Sequence, residues 1–214
     1  MKYKAVLFDM DGTVLDTLED IKNSVNRTMQ HFSYPVCTLE QVRRYVGNAA
    51  RRLIEQAVPE GTAPEQIDRV LAWYKADYDK NCNITTGPYE GICELLYLLR
   101  QQGVRLAVVS NKPDGAVKEL AANFFSGLIE VAIGESGSVR RKPWPDTVDM
   151  AVKELGVEKA DCVYVGDSEV DVLTAKNAQM DCISVSWGFR TVEELVNAGA
   201  ECIVHNTRQL LEKL

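Results

Sequence analysis

No apolar run in this 214-residue chain approaches the roughly 20 residues that a membrane-spanning helix needs, so a bilayer is not an expected partner. An excess of positive charge is also missing. The 24 Lys and Arg face 31 Asp and Glu, a net charge of −7, which argues against nucleic acid or an anionic membrane surface as the main partner. No C-x-x-C pair occurs among the six cysteines, and Cys93, Cys162, Cys182 and Cys202 lie inside apolar segments. That usage predicts reduced, buried thiols acting as small hydrophobes rather than disulfides. The N-terminus enters an apolar run at once, with no signal-peptide pattern, so the expected location is cytoplasmic. Repeats and low-complexity tracts are absent. The two histidines, His31 and His205, read as surface or packing residues, and Trp73, Trp144 and Trp187 read as packing.

What is present suits a soluble globule: 46% hydrophobic and 26% charged residues, enough for a sizeable core. The length allows one large domain or one domain with an insertion. Ala5-Val6-Leu7-Phe8 is a continuous apolar run that stops at Asp9-Met10-Asp11-Gly12-Thr13, the pattern of a strand buried on both faces. Beyond it the period changes. Thr17 and Asp20 stand at capping-box spacing, and Ile21, Val25, Met29 and Phe32 mark one helical face. Helical spacing continues past Thr38 and Gln41, through Leu53 and Ile54, and along Ile67, Val70, Leu71, Tyr74 and Tyr78. After Gly87-Pro88 helices and strands alternate: a helix through Leu95 and Leu99, a strand at 105–109 ending in Ser110-Asn111-Lys112-Pro113, and a strand at 162–165 ending in Gly166-Asp167. Alternation of this kind implies parallel pairing with right-handed crossovers. The expected architecture is an α/β, Rossmann-like parallel sheet built from residues 1–15 and 84–214. Residues 16–83 form a small all-helical domain inserted after the first strand.

Buried parallel strands deliver functional residues at their carboxyl ends. Three of these strands end in polar clusters, Asp9/Asp11, Ser110/Asn111 and Asp167/Asp171, and Lys142 lies in a loop that can reach the same edge. Crowded carboxylates repel, so a proton or a cation must sit among them, and oxygen ligands at this spacing suit Mg²⁺. Carboxylates, a hydroxyl-amide pair and one lysine are what a phosphate monoester site requires.

F-D-M-D-G-T, S-N, K-P and G-D-S-E-V-D, in that order, resemble the haloacid dehalogenase superfamily of phosphatases. D-G-T-V-L-D-T, S-N-K-P, K-P-W-P and V-S-W-G-F are most similar to the phosphoglycolate phosphatases within it. The helical insert resembles that superfamily's cap. The resemblance implies that Asp9 is the nucleophile and becomes an aspartyl phosphate, and that Asp11 protonates the leaving alcohol and later deprotonates water. It implies Mg²⁺ held by the Asp9 carboxylate, the Asp11 carbonyl and Asp167. Ser110 and the amide of Asn111 would bind phosphoryl oxygens. Lys142 would offset the charge of Asp9 and of the phosphate, with Asp171 and Thr13 behind these groups. In the insert, Arg51 or Arg52 is the expected grip for a substrate carboxylate. The partner implied is a small phosphorylated metabolite, and the chain is expected to act as a monomer or weak homodimer.

Other readings compete for these residues. Mutases of the family such as β-phosphoglucomutase carry a histidine where Asp20 stands, and phosphonate hydrolases need a cap lysine where residues 16–60 offer only Lys22. Both are disfavoured, while a pyrophosphatase stays open. A non-catalytic phosphate-binding module of the same fold is the reading from a different class; Asp11 with Lys142 argues for turnover.

Overall fold

Side chains on β1 (Ala5–Phe8) alternate between two apolar layers: Val6 and Phe8 join one, Ala5 and Leu7 the other. All four are fully buried, which only a central strand with a helix layer on each face can achieve. This geometry comes from a computed structural model, which describes every residue except Ser138.

The chain continues through β2 (Leu15–Asp16), α1 (Leu18–His31), α2 (Leu39–Tyr45), α3 (Ala49–Ala57), α4 (Pro64–Asn81), β3 (Gly87–Pro88) and α5 (Ile92–Gln101). It then runs through β4 (Arg105–Pro113), α6 (Asp114–Phe125), β5 (Val131–Glu135), α7 (Asp146–Leu155), β6 (Cys162–Gly166) and α8 (Glu169–Ala178). Last come β7 (Asp181–Val185), α9 (Val192–Asn197), β8 (Ile203–Val204) and α10 (Thr207–Lys213). The main sheet has six strands in the order β5-β4-β1-β6-β7-β8, and its pairings are parallel. Leu95, Leu96, Leu99, Val117 and Leu120 cover one face, and Val148, Ala151, Leu155, Ala175 and Ala178 cover the other. Because β1 lies between β4 and β6, the polar ends of all three strands meet at one edge. Among the described residues, no helix is long and apolar enough to cross a membrane.

The chain divides into two compact units: Met1–Asp16 with Pro88–Leu214, and Thr17–Gly87. The second boundary falls after Gly87, later than the break at 83/84 expected from the sequence, and Asp20 gives the reason. Thr17 is the N-cap of α1 but makes no side-chain capping bond, so the capping box expected there does not form. The buried Asp20 carboxylate instead accepts from the N–H groups of Ile84, Thr85 and Thr86 and from both threonine hydroxyls, at 2.8 to 3.1 Å. Those residues are therefore tied to the helical unit. Burial pushes the Asp20 carboxyl up, but the hydrogen bonds from Thr85 and Thr86 outweigh it and hold the group below the usual carboxylate range.

Asp20→Ala removes the acceptor of five donors, of which the two on Thr86 are buried, and should cost about 3 kcal/mol, or ~10 °C in Tm. A group whose folded pKa is depressed stabilises above its unfolded value, and that stability is lost as pH falls through the folded one. The melting gap between wild type and Asp20→Ala should therefore narrow as pH falls below the ordinary carboxylate range; a gap constant with pH would contradict the clamp. Elsewhere in this unit, Arg27 makes a forked ion pair with Asp77 at 2.7 to 3.0 Å, joining α1 to α4. Thr38 and Gln41 do form a capping box, at the start of α2.

The cysteine expectation needs one correction. All six thiols are free, and Cys37, Cys82 and Cys162 are buried, but Cys93 is exposed and Cys182 and Cys202 are half-buried. On α5 the core face is taken by Ile92, Leu95, Leu96 and Leu99, which turns position 93 outward.

Candidate active site

β1 hands the chain to a tight turn as soon as it leaves the sheet. The Asp9 N–H still donates to the Val165 carbonyl at 2.8 Å, and the Met10 N–H folds back onto Asp9 Oδ1 at 2.7 Å. Gly12 adopts φ +88°, and a Cβ there would collide with the Asp167 carboxylate, so only glycine lets this turn lie against the end of β6. Asp9 and Asp167 thus approach from adjacent strands because the loop between Asp11 and Thr13 has no bulk facing them.

Lys142 fills the centre. Its ammonium lies 2.8 Å from Asp9 Oδ1, 2.8 Å from Asp171 Oδ1 and 3.0 Å from the Tyr164 hydroxyl, with its side chain 2% exposed. The Lys142–Pro143 peptide is cis. Asn111 fixes this loop: its side-chain amide donates to the Lys142 carbonyl at 3.1 Å and its oxygen accepts the Lys142 N–H at 2.8 Å. The Asn111 side chain is therefore engaged with the lysine's main chain. Ser110 is buried within β4, where its hydroxyl accepts the Lys112 N–H at 3.2 Å.

Asp171 is saturated. Oδ1 receives Lys142 and the Tyr164 hydroxyl, and Oδ2 receives the N–H groups of Asp167 and Ser168 and the Ser168 hydroxyl at 2.6 to 3.2 Å. Asp167 is less fully engaged: Oδ2 accepts the Phe189 N–H at 2.6 Å, and the Thr13 hydroxyl reaches Oδ1 only at 3.3 Å. Asp9, Asp167 and Asp171 each offer an oxygen within 4.8 Å of the others, a spacing that fits a metal ion. Because the Asp171 lone pairs are already taken, Asp9 and Asp167 are the carboxylates that suit a hard cation best. Charge balance points the same way. Four carboxylates, Asp9, Asp11, Asp167 and Asp171, face two ammonium groups, Lys112 and Lys142, which leaves two negative charges over. Burial, then the Asp171 charge, pushes Asp9 up to about 7 against the pull of Lys142. Burial, then Asp171 and Asp9, raises Asp167 well above its usual range.

Asp9, Asp11, Thr13, Ser110, Asn111, Lys142, Asp167 and Asp171 all fall in the sheet unit. Arg51 and Arg52 fall in the helical unit, where Arg51 pairs with Asp68 and both approach Glu55 at 3.5 Å. Several neighbours escaped the sequence reading. Lys112 reaches Asp11 Oδ1 at 2.6 Å, Tyr164 braces Lys142, and the segment after β7 folds over the site. Within that segment the Trp187 indole donates to the Thr13 carbonyl at 3.0 Å, and a Cβ on Gly188 would collide with Asp167. The S-N-K-P and V-S-W-G-F runs were the available signals, but neither says which residue faces which.

Residues 6–185 match the haloacid dehalogenase-like hydrolase family. The chain belongs to that family. It is 30% identical over 214 residues to phosphoglycolate phosphatase 1 of Pseudomonas aeruginosa, covering 97% of this chain and 78% of the relative. It is also 30% identical over 219 residues to the phosphoglycolate phosphatase of Colwellia psychrerythraea, covering 99% and 96%. A crystal structure from Lactobacillus delbrueckii subsp. bulgaricus, provisionally described as a phosphoglycolate phosphatase, superposes with a TM-score of 0.95 at 40% identity, covering 100% of this chain and 98% of that one. Members of the haloacid dehalogenase-like family are hydrolases, and the sheet unit here has the fold and motif order of one.

The raised carboxyls carry a metal prediction. Asp9, near 7 in the fold, contributes stability that is whole below about pH 4 and lost as pH rises through 7. A divalent cation removes that loss, so millimolar Mg²⁺ should raise Tm by several degrees at pH 8 and by much less at pH 5. Equal shifts at both pH values would contradict a cation held by Asp9 and Asp167.

Proposed function

We propose that this haloacid dehalogenase-like hydrolase is a Mg²⁺-dependent phosphatase acting on a small phosphate monoester of the phosphoglycolate type, through phosphorylated Asp9. The observation that carries the reading is the Asp9 carboxylate, pinned by Lys142 and the Met10 N–H through Oδ1, beside an Asp167 that keeps coordination capacity. An Asp9 oxygen attacks phosphorus and the bond to the alcohol oxygen breaks. Protonated Asp11 gives that oxygen its proton, then takes one from the water that attacks the phosphorylated Asp9, releasing phosphate and restoring the Asp9 carboxylate and the Asp11 acid. Lys142 neutralises the nucleophile and the incoming dianion, and Asp171 with Tyr164 and Asn111 fixes where that charge stands. Mg²⁺ bound to Asp9 and Asp167, with the Asp11 carbonyl, would supply the remaining positive charge.

The names of the relatives support phosphoglycolate as the ester, and a soluble metabolite of this kind suits a cytoplasmic monomer or weak dimer. Phosphate release from a panel including 2-phosphoglycolate, p-nitrophenyl phosphate and pyrophosphate tests the proposal. Turnover abolished by EDTA and restored by Mg²⁺, with 2-phosphoglycolate among the best substrates, is expected. Folded protein that releases no phosphate from any ester would overturn it.

A further inference from the structure

β4 carries a second ammonium into the site, and the reaction described above leaves it without a task. Lys112 is 6% exposed, and its Nζ lies 2.6 Å from Asp11 Oδ1. A buried ammonium is costly, and a fold that keeps one must hold its path closely. Here the path is set from three sides. The parallel pairing of β4 with β5 slips register between Val109 and Pro113. Gly134 of β5 passes so near that a Cβ would sit 2.6 Å from the Lys112 carbonyl and 2.7 Å from the Asp114 nitrogen. The Ser110 hydroxyl accepts the Lys112 N–H. The side chain is thereby delivered beside the carboxylate that serves the leaving alcohol. A cation there lies one hydrogen bond beyond Asp11.

We propose that Lys112 is a specificity-determining residue that pairs with a carboxylate carried on the carbon that bears the ester oxygen, so the preferred substrates are phosphate esters of short 2-hydroxy acids. The inference rests on the phosphatase reading and deepens it. It moves recognition of the substrate carboxylate from Arg51 and Arg52, which are engaged with Glu55 and Asp68, to the strand that also carries Ser110. A charge-assisted contact made only by carboxylated esters discriminates against the analogue lacking the charge.

The test uses the full chain with Mg²⁺ and two esters of equal length, 2-phosphoglycolate and ethyl phosphate, on wild type, Lys112→Met and Lys112→Arg. Both rates fall in Lys112→Met, since Asp11 loses its neighbour; the ratio of the two kcat/KM values is the readout. Wild type should favour 2-phosphoglycolate by about a hundredfold. Lys112→Met should cut that ratio about thirtyfold, mainly through KM, and Lys112→Arg should recover most of it. A ratio unchanged in Lys112→Met would overturn the assignment and leave Lys112 as a residue that only positions Asp11. A wild-type ratio near one overturns it while the phosphatase reading stands, and needs no variant to fold. No turnover of either ester by wild type overturns both.

Discussion

Asp9→Asn should lower kcat about 10,000-fold while raising the melting temperature of metal-free protein at pH 8 by a few degrees. The loss follows because a carboxamide cannot attack phosphorus, and binding and charge placement alone leave only residual catalysis. The gain follows from the electrostatics of the site. Asp9 is forced to ionise where burial and the Asp171 charge oppose it, so removing its charge relieves the fold. The amide oxygen can still accept from the Met10 N–H and Lys142, the two donors that hold Oδ1 now. Thermal unfolding with EDTA, beside steady-state phosphate release, checks both halves. A variant that is inactive and also less stable would mean that Asp9 is a structural carboxylate.

Asp171→Ala removes one negative charge from the same cluster and should move stability the other way. Its two oxygens receive five donors: Lys142, the Tyr164 hydroxyl, the Ser168 hydroxyl, and the N–H groups of Asp167 and Ser168. Ser168 is the N-cap of α8 and Asp171 closes its capping box, so the helix start depends on the same carboxylate. Stranding those buried donors costs more than the relief of repulsion returns, for a net loss of about 3 kcal/mol and roughly 10 °C in Tm. Activity should fall about a hundredfold as well, because Lys142 keeps Asp9 as its carboxylate partner but loses the one that fixes its position. A neutral or stabilising Asp171→Ala would show that Asp171 is another strained functional carboxylate rather than the anchor of Lys142.

These opposite signs mark what the sequence shows and what it hides. The run at Ala5–Phe8 shows a central strand because burial on both faces leaves no polar position, and the abrupt stop then places Asp9 at the sheet edge. Lys142, by contrast, lies in a loop, and only the order of the motifs connects it to Asp9. Its support from Asn111, Tyr164 and Asp171 comes from residues distant along the chain, which no local spacing encodes. Thr17 and Asp20 show the opposite failure. Their spacing fits a capping box, yet the carboxylate reaches Ile84, Thr85 and Thr86, where five donors outcompete one helix terminus. Lys112 is plain in S-N-K-P, but β4 runs on through Pro113, and the strand end expected at residue 109 concealed that Ser110 to Lys112 are all buried.

Crystals grown with Mg²⁺ and beryllium fluoride test the central claim most directly, since the fluoride complex mimics a phosphoryl group only on a carboxylate able to act as nucleophile. The account predicts beryllium bonded to an Asp9 oxygen, with a cation between Asp9 and Asp167. Beryllium on any other carboxylate, or no adduct while Mg²⁺ is bound elsewhere, would contradict it.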